Sequence, residues 1–329
     1  MLIVWGVLAV LLVQGEFEKG GQKGYYHEFS SSEFLSGVFH TYPEFSACTS
    51  SYGTRKIQLF IPRDYESSGK NYPVLYVQNG DTAFYKGGLL SKSLWMAHAI
   101  SNLRLDNKIE DLIAVAIYAK NVNEEFTHAE FAPGQDCCKV SEYTTFVGCI
   151  KNWVDANYRT KPGREDSALI GTAQGALASF YIANTQPQVF GKAACLSSAF
   201  WVGYKNLALP SFTRNLASSS LIAATKDTLA SKVKPRLYLD YGLTQDRRFH
   251  NAILEKKAVE SSKEMVTLLQ SYGYKTWSTA LNSLNWPESS KLKEYNLFVL
   301  EDQTGQHDED SWANRVWIAL TYLFPKTAQ

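Results

Sequence analysis

Short continuous apolar runs alternate along the chain with longer segments of helical spacing. Residues 54–62 alternate as a half-exposed strand does, and Arg63-Asp64-Tyr65 turns the chain away. Residues 72–78 (Tyr-Pro-Val-Leu-Tyr-Val-Gln) form a continuous apolar run, the pattern of a strand buried on both faces, closed by the turn Asn79-Gly80-Asp81. Residues 112–118, 168–170, 194–196, 237–239 and 297–300 read as further strands of this kind. Between them, residues 94–103, 144–157, 177–185, 252–271 and 312–324 carry the apolar period of helices. Buried strands alternating with helices predict an α/β fold with a doubly wound, mostly parallel sheet, and one domain over residues 16–329 accommodates them. Residues 205–234 and 277–292 lack that rhythm and read as insertions over the strand ends, placed to shape a lid or a pocket.

Ahead of this domain, residues 2–13 are apolar throughout and are followed by Gln14-Gly15-Glu16. The run falls short of the roughly 20 residues that span a bilayer. At the N-terminus, with a small residue at its end, it predicts a secretory signal peptide over residues 1–15 and a secreted protein. A buried N-terminal strand is the alternative. No other stretch is apolar enough to cross a membrane, so no membrane span is expected.

Composition narrows the chemistry. Lys and Arg number 33 against 32 Asp and Glu, a balance that excludes the basic field of a duplex nucleic-acid binder. The hydrophobic fraction of 45%, with 17 Phe, 19 Tyr and 8 Trp, excludes intrinsic disorder. Five cysteines leave at least one unpaired. Cys195, in the run Ala193-Ala194-Cys195-Leu196, reads as a buried thiol. Cys48, Cys137, Cys138 and Cys149 are candidates for one or two bridges in an oxidising compartment. Their spacing is not that of a zinc site, and no dinucleotide fingerprint or phosphate loop is present, so neither metal nor cofactor is expected.

In a doubly wound sheet ligands bind beyond the carboxyl ends of the strands. There the segment Gly171-Thr172-Ala173-Gln174-Gly175 takes a short strand through a tight turn directly into a helix. This is the nucleophile-elbow frame Gly-x-Ser-x-Gly, whose glycines permit close strand–helix approach, with Ala173 at the apex. Asp246 follows the strand at 237–239 and His307 the strand at 297–300, which completes the order elbow, acid, histidine of α/β hydrolases.

The chain resembles the putative-esterase family of α/β hydrolases, the group of enterochelin esterases and S-formylglutathione hydrolases. The carriers are Tyr72-Pro-Val-Leu-Tyr-Val-Gln-Asn-Gly80, Asn157-Tyr-Arg-Thr160, Leu196-Ser-Ser-Ala-Phe-Trp201 and Gly305-Gln-His307. The resemblance implies an α/β-hydrolase-type fold, His307 as general base, Asp246 as its orienting acid, and an oxyanion hole from the backbone N–H groups of Gln174 and Asp81. Ala173 stands where the family has serine, and Asn79 where it usually has aspartate. A methyl group cannot attack a carbonyl, so three readings follow. The first is cofactor-independent oxidation of a small aromatic substrate, of oxygenase or luciferase type, with the His307–Asp246 pair as base. The second is a catalytically dead hydrolase that binds a small molecule. The third is a carboxylic-ester hydrolase in which Ala173 is an engineered replacement of serine. Phe84, Tyr85, Phe200 and Trp201 follow strand ends and are the candidates for lining a flat substrate pocket.

Overall fold

The computed structural model describes residues 11–29, 36–48, 53–85, 92–130, 134–203, 216–244, 252–287 and 291–326. The strands are β1 (Leu11–Lys19), β2 (Gln22–Phe29), β3 (Gly37–Phe45), β4 (Arg55–Pro62), β5 (Val74–Val77), β6 (Ile113–Ile117), β7 (Ser167–Thr172), β8 (Lys192–Leu196), β9 (Arg236–Gly242), β10 (Thr276–Ala280) and β11 (Leu297–Asp302). They form one eleven-stranded sheet in the order β1-β2-β3-β4-β6-β5-β7-β8-β9-β11-β10. From β6 to β10 every pairing is parallel, and from β1 to β6 every pairing is antiparallel. The helices are α1 (Tyr65–Ser68), α2 (Met96–Leu105), α3 (Val122–Glu125), α4 (Val140–Asn157), α5 (Ala173–Thr185), α6 (Ser220–Ala230), α7 (Ala252–Ser271), α8 (Glu309–Ala313) and α9 (Val316–Leu323).

Side chains that alternate along each strand reach opposite helical layers. Tyr76, Val115, Leu169 and Leu239 join one core cluster with residues of α4, α5, α6 and α7. Their neighbours Leu75, Val77, Ala114, Ile170 and Leu300 join the other, with residues of α2 and α9. Burial on both faces explains why these strands are continuous apolar runs in the sequence.

Four segments depart from the expected pattern. Residues 11–45 supply the antiparallel strands β1, β2 and β3, whose alternation with charged and tyrosine side chains hides them in a hydropathy reading. Leu11–Gly15, assigned above to a signal peptide, pair with Tyr26–Phe29 as the first half of β1, and residues 1–10 lie outside the described residues. Residues 277–292 are not wholly an insertion, since β10 pairs in parallel with β11 at the sheet's edge. Residues 205–234 contain helix α6, with 205–215 outside the described residues. The helical pattern at 312–324 is two helices, broken at Asn314-Arg315 where the Arg315 side chain turns inward and is fully buried.

Cys48 and Cys149 form a disulfide that ties the end of β3 to α4, and Cys137 and Cys138 form a second. Cys195 is a free, buried thiol whose pKa burial pushes up. Among the described residues no helix is long and apolar enough to cross a membrane.

Candidate active site

The turn after β7 is a complete elbow. Ala173 has φ of +49°, a left-handed conformation that an L-residue adopts at a cost of about 1–2 kcal/mol. The two glycines are sterically required. A Cβ on Gly171 would lie 2.3 Å from the backbone carbon of Gly175, and one on Gly175 would lie 1.9 Å from Asn79 Oδ1. Helix α5 therefore starts directly against the strand, and its first-turn N–H groups, Gln174 among them, carry the positive end of the helix dipole. Gln174 is half-buried, and its Nε2 donates to Asn123 Oδ1 at 3.0 Å, which joins the elbow to α3.

Asn79, at φ +59°, ends β5 and stands against the elbow. Its Oδ1 is buried with no partner among the described residues. Asp81 is exposed in the short helical turn Gly80–Thr82 that follows.

His307 lies on the loop between β11 and α8, which is pinned at both ends. Asp302 Oδ1 accepts the N–H of Thr304 (3.2 Å) and of Gly305 (2.8 Å). Beyond the histidine, Asp308 caps α8 by accepting the Ser311 N–H at 2.8 Å, and the Gln306 N–H donates to Ser311 Oγ at 2.9 Å. The imidazole meets the Trp312 ring edge to face at 5.1 Å.

In the sheet, β11 is three places from β7, about 14 Å at ordinary strand spacing. Two sets of contacts link the His307 loop to the elbow across that distance. The Thr244 N–H beyond β9 donates to Gly305 O at 3.0 Å, which draws the His307 loop back over β9. His307 then shares a cavity of about 10 Å³, room for about one water, with Ser197 at the end of β8. Two residues further, the Ala199 N–H donates to Ala173 O at 3.0 Å. The β8 turn thus bridges the histidine and the elbow. Asp246 lies outside the described residues; Thr244 is the last described residue of its loop.

Beneath these loops is a buried ionic clamp. Arg315, fully buried, places Nε 3.0 Å from Asp240 Oδ2, and it donates from Nη1 to Asp302 Oδ2 at 2.9 Å and from Nη2 to Ser197 Oγ at 2.7 Å. Asp240 Oδ1 also accepts the Ser197 N–H at 3.0 Å. One guanidinium therefore ties the carboxyl ends of β8, β9 and β11. Burial raises the Asp240 pKa even with Arg315 beside it.

Sequence reasoning missed Glu255, a buried carboxyl on α7 that lines the same small cavity as His307. It missed Arg315 and Asp240 too. The one available signal was a charge inside the apolar run Leu237-Tyr-Leu-Asp240-Tyr. The aromatic candidates do not converge on one place. Phe84 is a core residue packed on Phe39 and Phe60, and Tyr85 packs on Phe39 and accepts a hydrogen bond from Gln58. Phe200 and Trp201 are buried in the cluster on the other face of the sheet.

A family model described as "Putative esterase" matches residues 49–314. Among curated proteins, the uncharacterized protein YbbA of Bacillus subtilis is 23% identical over 167 residues, spanning 47% of this chain and 60% of that relative. Solved structures share the fold. A ferulic acid esterase superposes with a TM-score of 0.55 at 16% identity, covering 88% of this chain and 98% of its own. An IroE-like serine hydrolase from Shewanella oneidensis gives 0.57 at 13%, covering 87% and 80%. The enterobactin esterase of Shigella flexneri gives 0.56 at 12%, covering 88% and 59%.

Proposed function

The chain belongs to the putative-esterase family, and from that membership we propose that it binds a small aromatic ester, or a kindred carbonyl compound, at the elbow without forming an acyl-enzyme. One observation carries this reading: the elbow is built in full, with both glycines, a positive-φ apex and a helix start, around a methyl group. A carbonyl placed there meets preorganised N–H dipoles from Gln174 and, in the same reading, Asp81, but no nucleophile. Loss of a triad member leaves residual catalysis of about a thousandfold over water. Slow hydrolysis by water, with His307 as base and Asp246 as its orienting acid, is therefore the ceiling. The aromatic preference rests on the ferulic acid esterase among the similar structures, a protein named for an aromatic ester.

The retained histidine favours a second reading. An imidazole base with no nucleophile beside it can take a proton from a bound aromatic molecule, and the resulting anion can react with dioxygen without a cofactor. None of the proteins above is named for that activity, so the oxidative reading stands behind the binding one. Export is part of the same proposal, supported by the Cys48–Cys149 bridge and by the apolar run at residues 2–13, the last three of which begin β1.

The test is Ala173→Ser assayed beside the parent, with His307→Ala in both backgrounds, on an activated aryl ester and in an oxygen electrode. The expected result is a His307-dependent acyl burst from the serine variant only. A folded serine variant with no burst would remove the elbow reading. Metal-free, flavin-free oxygen uptake by the parent that His307→Ala abolishes would promote the second reading over the first.

A further inference from the structure

An open groove of about 920 Å³, at the upper end of small-molecule sites, runs between α2, α9 and the segment that follows β10. It lies on the α2 and α9 side of the sheet, and none of Ala173, Gln174, Asp81 and His307 lines it. Three tryptophans do: Trp95, Trp286 and Trp317, each half-buried. Each packs against the α2 and α9 core cluster and keeps part of its ring open to the groove, so the wall offers aromatic surface beside that core.

Two further features mark the same wall. Trp95 has φ of +50°, an outlier for a bulky residue, and such strain persists at sites where the surroundings impose it. His98, on the next turn, pairs its Nε2 with Asn102 Nδ2 at 3.0 Å. Its Nδ1 is buried with no partner among the described residues.

Exposed amides and a carboxylate stand among the indoles: Asn102, Asp106 and Asn314. Asp106 stands with Lys108 and Lys326, which leaves the wall with a single net positive charge. A polyanion would call for a more basic wall, and a flat aromatic ligand for an enclosed slot with few polar groups. A pyranose matches both halves of the pattern. Its C–H face stacks on an indole, and its vicinal hydroxyls pair with planar amides and carboxylates. Helix α2, ten residues long, gives the groove a length of about 15 Å, enough for more than one ring. We propose that the groove between α2 and α9 binds a neutral oligosaccharide.

The experiment is calorimetric titration of the full chain with cellohexaose, xylohexaose and chitohexaose, with tryptophan emission as a second readout. At least one sugar should bind saturably. Trp317→Ala should weaken it about tenfold or more, a loss of about 1.4 kcal/mol, while Trp317→Phe retains part of the affinity and Ala173→Ser all of it. Circular dichroism of each variant checks the fold. No saturation by any of the three sugars up to about 10 mM, where binding energy falls below roughly 2.7 kcal/mol, would overturn the proposal. So would unchanged sugar affinity in a folded Trp317→Ala, methyl ferulate occupying the groove in place of sugars, or a dimer in sedimentation that Trp317→Ala dissolves.

Discussion

Replacing Arg315 with Met tests whether the clamp under the site is what holds it. The substitution keeps much of the side chain's length and removes the guanidinium between Asp240 and Asp302, which are 1% and 3% exposed. Two carboxylates then share a dry site without a counter-charge, and breaking a buried pair in this way costs about 3–5 kcal/mol. Against a typical domain stability of about 5–15 kcal/mol that is a large loss. The sign of its pH dependence is the sharper test. Burial already raises the Asp240 pKa with Arg315 present, and removing the cation raises it further. A carboxyl whose folded pKa lies above its unfolded value destabilises the fold above the folded pKa, and the penalty fades as pH falls and the proton binds. The deficit of Arg315→Met in urea unfolding should therefore be greatest near pH 7.5 and smaller at pH 5. Adding Asp240→Asn and Asp302→Asn should recover part of it. A loss below about 1 kcal/mol, or a deficit that does not change with pH, would show that the three groups are not coupled as the geometry requires.

Other expectations are smaller in scope. Gly171→Ala forces a Cβ to within 2.3 Å of the Gly175 backbone and should cost about 3 kcal/mol or more; a thermal shift of only a degree or two would contradict the tight elbow. Opening the Cys48–Cys149 bridge by replacing both cysteines with serine releases a loop of 101 residues, so chemical denaturation should show a loss of about 2–5 kcal/mol. Burial lowers the pKa of His27, His40 and His128 from 6.5 to about 4 each. Such histidines are neutral in the fold and charge more readily unfolded, so stability should hold above pH 6.5 and fall as pH drops toward 4, by up to about 3 kcal/mol for each. A urea midpoint flat over that window would refute it.

The parallel half of the sheet was legible because double burial writes itself as continuous apolar runs, as in β5 and β6. Of the antiparallel strands only β4 was, read at residues 54–62, and the parallel edge strand β10 was missed as well. In β1 and β2 the alternation runs through Glu16, Glu18 and Lys23 among tyrosines, and β10 reads Thr-Trp-Ser-Thr-Ala, polar enough to pass for a loop. The elbow was legible because its glycines answer a local steric demand at Gly171 and Gly175. The groups that hold the His307 loop were hidden for the opposite reason. Arg315 meets Asp302 and Ser197 across separations of 13 and 118 residues, and no periodicity records a contact of that kind. Glu255 was masked by the amphipathic rhythm of α7, where a buried acid looks like one more charged helix residue. Phe84 shows the reverse error, an aromatic near a strand end that is filling space between β3 and β4.

The placement of Arg315 also sets an order of events at the ribosome. It follows every described strand, so β8, β9 and β11 emerge, and the carboxylates of Asp240 and Asp302 stand in water, before their shared cation exists. A nascent chain that closed its sheet early would bury two negative charges with nothing to balance them. A product cut short before Arg315 therefore carries the same uncompensated pair of carboxylates as Arg315→Met, and the sheet reaches its full stability only once the α8–α9 segment has joined it.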